Sequence, residues 1–471
     1  MPPSREGAIA RAAACFDDGR YLAALRTLVA VPTESQMPER LPDLRRYCEQ
    51  TLPPMIAGMG FVSRVLDNPE PGAGPILVAT RVEDPSLPTV LVYGHGDVVR
   101  GLAPQWSNGR DPWAVTVEGE RWYGRGTVDN KGQHLIAIEA LRAVLAERGR
   151  LGFNATLFVE TGEEVGSPGL AEFLVQHRDL CAADVFIALD GPRQTTYLPE
   201  LGLGARGGVA FDLVVDFRAT EHHSGHFGGI LDDAGFVLAH ALASIVAPRG
   251  EILVEGWKPA QVPQPVQDAV DALVIEDMPG IPQGSPDWGE PGMSKPRRIY
   301  AWTSVIVLAF TCGHPDAPTN AVQGRARARL QVRHTVDVPA ETIVPNLRRH
   351  LDRHGFGMVR IEEALNRSMF PASRTNPDDP WVKAVAKSMQ RTANRTPNIL
   401  PNSSGSSPSD LFLKTLDAPC IWIPNSYPGC NQHGPDEHAL APLLREGLGL
   451  MAGIWWDLGA GEAPAAQARR T

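Results

Sequence analysis

The chain has 471 residues, about three times the roughly 150 of a typical domain, which predicts two or three domains. Hydrophobic residues make up 43% and charged residues 21%, a globular balance that excludes a disordered chain, a collagen and a membrane bundle. Forty-four basic side chains against 54 acidic ones leave a net charge of −10, which repels phosphate backbones and argues against a nucleic-acid partner. The arginines between Arg325 and Arg333 read as the exposed face of a strand rather than a basic patch. No apolar run approaches the roughly 18 residues that span a bilayer, so no membrane partner is expected. The N-terminus has no apolar stretch before Asp17 and Asp18, so no secretory signal is expected. The cysteines at 15, 48, 181, 312, 420 and 430 form no CxxC pair, and free thiols in a cytoplasmic enzyme are the expectation.

In chain order, Thr89 to Tyr93, Thr156 to Val159 and Val185 to Leu189 are short continuous apolar runs of the buried-strand type. Between the first two, Leu135, Ile138, Leu141 and Leu145 recur at helical spacing. Buried strands alternating with amphipathic helices predict an α/β sheet covered on both faces. After about residue 204 the pattern changes. Val209 to Phe217 reads as a strand, Ala234 to Val246 as a helix, and residues 251–300, rich in Pro and Gly, as a long insertion. Ser304 to Thr311 and the alternating Ala326 to His334 read as strands, Ala340 to His354 as a helix and the stretch near Val359 as a last strand. That order fits a small α+β sandwich. From Asp378 helical patterning resumes, followed by a Ser/Gly/Pro loop and a terminal helix near Leu443; Gly459 to Thr471 is expected to fray. The simplest layout is one α/β domain, residues 1–203 and 375–471, interrupted by a smaller domain over 204–374.

The chemistry sits at the strand ends. The first run ends in Gly94-His95-Gly96-Asp97, the second in Glu160-Thr161-Gly162-Glu163-Glu164, the third in Asp190-Gly191, and Tyr123 to Asp129 leads into the helix carrying Leu135. Ligands of open α/β sheets bind beyond the carboxyl ends of strands, so these side chains can converge on one rim. Unpaired carboxylates gathered there would repel and raise each other's pKa, and one or two divalent cations remove that conflict. Imidazole and carboxylates without a thiolate suit zinc, with manganese and cobalt as alternatives.

On these residues the chain resembles the M20 family of metallopeptidases, which includes carnosine-type dipeptidases, aminoacylases and glutamate carboxypeptidases. The matching segments are Gly94 to Val98, Tyr123 to Gly132, Glu163 to Ser167, Asp190, His223-Ser224-Gly225 and His433 to Glu437. The resemblance implies a zinc-exopeptidase-like catalytic domain with a mixed central sheet flanked by helices, and a lid that also dimerises. It implies two metals, with Asp129 bridging them and His95, Glu164, Asp190 and His433 completing the shells. It makes Asp97 the partner of the His95 ring, Glu163 the general base, and His223 a lid residue that reaches the partner subunit's oxyanion. Asn320, Arg333 and the loop carrying Gly405 and Ser406 match positions that hold the substrate's carboxylate.

The sequence also departs from the family. Gly96 stands where a bulkier residue is usual, Asp436-Glu437-His438 replaces Asn-Glu-aromatic, and only Gly405 survives of a glycine-rich loop. Gly202 to Gly207 satisfies GxGxxG, but a strand pattern follows where a nucleotide site needs a helix. His222 and His226 have i, i+4 spacing without the glutamate of a helical zinc motif, and Cys430 reads as a packing thiol. The expected activity is cleavage of the amide bond to an amino acid with a free carboxylate, as in a dipeptidase or carboxypeptidase. The alternatives are a deacylase of N-acyl or N-aryl amino acids using the same site, and a non-catalytic scaffold. The expected partners are a small-molecule substrate and a second copy of the chain.

Overall fold

The computed structural model describes residues 2–278, 281–363 and 370–465. Of the tail expected to fray, 466–471 lie outside the described residues. A mixed eight-stranded sheet runs in the order Val62–Leu66, Ile76–Arg81, Asn154–Glu160, Thr89–His95, Val185–Ala188, Cys420–Trp422, Glu200–Gly202, Asn398–Leu400. Thr89–His95 pairs in parallel with both Asn154–Glu160 and Val185–Ala188, and Cys420–Trp422 continues the parallel run. Every residue of the first three of these strands is buried, which is why their sequences read as continuous rather than alternating apolar runs.

One face is covered by the helices Arg5–Asp17, Lys131–Arg148 and Ala441–Asp457, which pack on Leu77, Ala79, Val90 and Val92. The opposite face carries Leu91, Tyr93, Phe158 and Phe186 against Leu170–Gln176 and Ser409–Leu416, with Phe173, Phe412 and Trp422 completing an aromatic layer. The sheet is therefore sandwiched as its sequence predicts.

A second sheet, Ser304–Cys312, Arg325–His334, Gly207–Asp216 and Arg360–Glu363, is antiparallel throughout. Its chain order of strand, helix, strand, strand, helix, strand follows the predicted one. Ala326, Ala328, Leu330 and Val332 point into a core shared with the helices Ala234–Ile245 and Ile343–Arg353. On the other face Arg327 and Arg329 share Asp212, and Arg325 pairs with Asp216.

The Pro/Gly-rich stretch 251–300 is more ordered than its composition suggests. It contains the helices Gln264–Asp271 and Lys295–Tyr300, and Val266, Val270, Tyr300 and Ala301 pack on Leu400, in the outermost strand of the large sheet. The Asn398 side chain bonds both Val274 N–H and Val274 C=O, so this stretch covers an otherwise open sheet edge. At the crossing between the sheets, a Cβ on Gly204 would lie 2.0 Å from Ser373 O. The glycines of Gly202 to Gly207 thus let two backbones pass, and a strand, not a helix, follows them.

Candidate metal centre

The strand ends do converge. His95, the last residue of its strand, is fully buried, and its Nε2 faces Asp129 Oδ1 at 3.0 Å and Asp190 Oδ2 at 3.3 Å. On the other side of Asp129, His433 Nε2 lies 2.9 Å from Oδ2 and 3.3 Å from Glu164 Oε2. The two oxygens of one carboxylate thus each look toward a different imidazole, and each imidazole has a second carboxylate beside it.

Neighbouring atoms orient these donors. His95 Nδ1 lies 3.1 Å from the Asp97 backbone oxygen and 3.4 Å from the Asp97 carboxylate. A proton held on Nδ1 by that carbonyl leaves the Nε2 lone pair free. The Asp97 carboxylate itself accepts the backbone N–H groups of Glu163 and Glu164, at 3.2 and 3.1 Å, and so fixes the turn that presents both glutamates. Sequence reasoning pairs Asp97 with the ring of His95; its main hydrogen bonds are to the Glu163-Glu164 turn.

Glu163 lines a cavity of about 360 Å3 with Asp129, Asp190, Gly405, Ser406 and His433. Burial first, and then the Asp190 and Asp129 carboxylates, hold its carboxyl well above the ordinary range. Glu164 is pushed up in the same way by burial and by Asp129. Asp129 is pulled low by the His433 and His95 imidazoles beside it, which outweigh the cost of its burial.

This donor set fits divalent cations. Among the described residues His95, Asp129 and Glu164 place ligand atoms within 4.8 Å of one another. His95 Nε2 and Glu164 Oε1 are buried with no aligned hydrogen-bond partner, a costly arrangement unless something else occupies their lone pairs. All the donors are nitrogen or oxygen, the choice of zinc, manganese or cobalt over softer ions.

A family model described as "Peptidase family M20/M25/M40" matches residues 91–457. The chain belongs to this peptidase family. It is a metal-dependent hydrolase of peptide bonds. The human protein named "Beta-Ala-His dipeptidase" is 35% identical over 406 residues, 82% of this chain and 77% of that protein. The "Cysteinylglycine-S-conjugate dipeptidase" of Corynebacterium striatum is 27% identical over 360 residues, 74% of this chain and 76% of that protein. Among solved structures, an M20 metallo-carboxypeptidase from Sulfolobus solfataricus has a TM-score of 0.74 at 21% identity, covering 93% of this chain and 99% of its own. Human carnosine dipeptidase 1 has a TM-score of 0.73 at 21% identity, covering 98% of this chain and all of its own.

The other expected residues fall in two places. Gly405 and Ser406 line the cavity; His223, Asn320 and Arg333 belong to the second sheet's part of the chain and do not line it. His223 and Asn320 are neighbours, since His223 pairs with Ala321 and Ser224 N–H bonds Asn320 C=O at 2.8 Å. Arg333 continues the arginine row of its strand, but among the described residues no carboxylate pairs with it and its buried Nη1 has no hydrogen-bond partner. His222 and His223 form a two-residue strand before a single helical turn, so the spacing to His226 builds no helical zinc site. Cys430 is buried, its thiol pushed up to about 11 by that burial, in keeping with a packing role.

Sequence reasoning missed three contributors. Gln432 donates to Asp129 Oδ2 at 2.7 Å, and Arg125 and Glu437 join the loops that carry Asp129 and His433. All three adjoin or lie within the quoted segments. Nothing local assigns them a partner, because the partners are some 300 residues away in the chain.

Proposed function

We propose that the chain is a dipeptidase: a two-metal hydrolase that releases an amino acid bearing a free carboxylate. The observation that carries the reading is the placement of the two Asp129 oxygens between two separate His-carboxylate sets beside a cavity of about 360 Å3. His95 and Asp190 would hold one cation, His433 and Glu164 the other, with Asp129 shared; zinc suits the donors best. Bound there, the cations would supply Lewis-acid polarisation of the scissile carbonyl and of the attacking water.

The remaining chemistry belongs to the chain. Glu163 accepts a proton from the attacking water and passes it to the departing amine, a role that suits a carboxyl buried beside other carboxylates. The Gly405-Ser406 loop meets the substrate at the cavity wall. Arg333, whose Nη1 is buried without a partner, takes the substrate's carboxylate together with Asn320 when the second sheet swings over the cavity. His223, on an exposed turn, serves the oxyanion of a partner subunit. A homodimer is supported by the edge strand Ser304–Cys312, where Ile306, Val307, Leu308 and Phe310 are about half exposed.

Among the described residues no helix is long and apolar enough to cross a membrane. All six cysteines are free, which suits a reducing compartment such as the cytoplasm.

The test is a release assay over dipeptides and N-acyl amino acids with zinc, manganese or cobalt supplied. Hydrolysis of unblocked dipeptides is the expected result. Turnover of acyl substrates alone would overturn the dipeptidase reading in favour of a deacylase.

A further inference from the structure

The two donor sets differ in how they are held. His95 ends a central strand, and Asp190 follows another by two residues, so the sheet fixes both. His433 lies in the loop between the short helix Pro428–Cys430 and the strand His438–Leu440. Three non-glycine residues of this loop, Asn431, His433 and Asp436, have left-handed φ values of 55°, 64° and 58°. Such conformations cost about 1–3 kcal/mol each and persist only where the surroundings enforce them.

The enforcement is visible. Arg125 and Glu437 are both completely buried and joined at 2.5 Å. The second oxygen of Glu437 accepts the backbone N–H groups of Gly126, Val128 and Asp129 at 3.0, 3.1 and 3.3 Å. Arg125 Nη2 donates to Gly434 C=O and to Arg100 C=O, both at 2.9 Å. Gly124 N–H closes the ring on the Glu437 backbone oxygen at 3.0 Å. One ion pair thus ties the residue after His433 to the backbone that presents Asp129. Two further side-chain ties reach the loop: Gln432 donates to Asp129 Oδ2 at 2.7 Å, and Asp436 accepts from Ser107 N–H and Arg110 nearer the surface. Neither Arg125 nor Glu437 lines the cavity. A buried ion pair is a poor source of net stability but a firm geometric constraint.

We infer that Arg125 and Glu437 are positioning residues that set the spacing between Asp129 and His433, and so govern cation affinity at the His433–Glu164 set more strongly than at the His95–Asp190 set, whose other two donors the sheet holds. This rests on the two-cation reading above. Lysine in place of Arg125 keeps the charge that neutralises Glu437 but cannot reach Glu437, Gly434 C=O and Arg100 C=O together. Partners that orient ligands in this way typically carry about 10–100-fold in metal affinity.

The test strips the full-length protein of metal and titrates it with zinc against a chromophoric chelator, for the wild type, Arg125→Lys and Glu437→Gln. The wild type is expected to take up two ions. Each variant is expected to bind one ion about 10–100-fold more weakly and the other with a clearly smaller loss, with an unchanged far-ultraviolet circular dichroism spectrum. Should Arg125→Lys not fold, Glu437→Gln still decides, because its amide oxygen can retain the three backbone contacts. Two ions at wild-type affinity in a folded variant, or equal weakening of both, would overturn the inference. Fewer than two ions in the wild type would instead remove the two-cation reading, and this inference with it.

Discussion

Glu200 is buried at the wall of the cavity that Glu163 lines, and burial pushes its carboxyl up to about 7. Among the described residues its hydrogen-bond donors are Gln194 N–H at 3.0 Å and the Asn398 amide at 3.5 Å, and the charge of Arg193 favours its ionisation without being bonded to it. In the unfolded chain it ionises near the ordinary value of 4.5. Between these two values the folded state holds a proton that the unfolded state has lost, so stability falls as pH rises. Each unit of pH in that window removes about 1.4 kcal/mol. The contribution is intact below about pH 4.5, drains through the window and levels off above about pH 7, a total of about 3 kcal/mol. Glu200→Gln removes this titration and nothing else of comparable size, since an amide can still accept from Gln194 N–H. Urea unfolding of wild type and variant from pH 4 to 8 is the assay. The variant should match the wild type at the acid end and exceed it by up to about 3 kcal/mol at pH 8. A stability difference that does not change with pH would show that Glu200 ionises in the folded protein as it does in the unfolded one, and the reasoning from burial would fail.

Glu163→Ala leaves all five proposed ligands in place, so it should retain metal by elemental analysis while turnover drops by about two to four orders of magnitude; near-normal rates would exclude Glu163 as the base. Arg333→Ala should raise KM about 10–100-fold, with a smaller effect on kcat, as loss of a charge-assisted binding contact requires; an unchanged KM would separate Arg333 from the substrate's carboxylate. EDTA should abolish activity and added zinc, manganese or cobalt should restore it, whereas full turnover of metal-free protein would contradict the metal dependence. Gly96→Ala should destabilise the fold by about 1–3 kcal/mol, because the new Cβ would sit 2.5 Å from the buried Tyr47 ring; a thermal midpoint equal to wild type would mean the ring yields freely.

What the sequence made legible is what is local. The three central strands stand out because burial on both faces leaves them almost wholly apolar, and the donors stand out because they lie at or just past the ends of those runs. The alternation Ala326, Ala328, Leu330, Val332 likewise reveals one buried face without reference to any other part of the chain. Long-range pairings are less legible. Arg125 and Glu437 are 312 residues apart, and each alone is an ordinary charged residue in a turn. The stretch 251–300 shows its breakers but not the surface it covers, since Val266 and Tyr300 gain their meaning only from Leu400. Asp97 was legible as a site residue but not in its detailed bonding, because its backbone oxygen, which no side-chain pattern reports, stands nearest the imidazole.

The departures from the family pattern have the same physical origin. Gly96 leaves a space beside His95 that Tyr47 fills, and the Tyr47 hydroxyl pairs with His134 Nε2 at 2.9 Å. The bulk absent from one position is thus supplied by a helix earlier in the chain, and the environment of His95 stays dry. His438, standing where an aromatic is usual, keeps an aromatic contact by lying 4.9 Å from the Tyr123 ring, and adds a polar one at 2.6 Å from the Tyr427 hydroxyl. Its other nitrogen lies 2.9 Å from the Asp436 backbone oxygen, so the substitution braces the left-handed turn at Asp436. At Gly96 and at His438 the change is matched by a remote side chain that restores its volume or its hydrogen bond. The functional unit is therefore a residue together with the atoms packed on it.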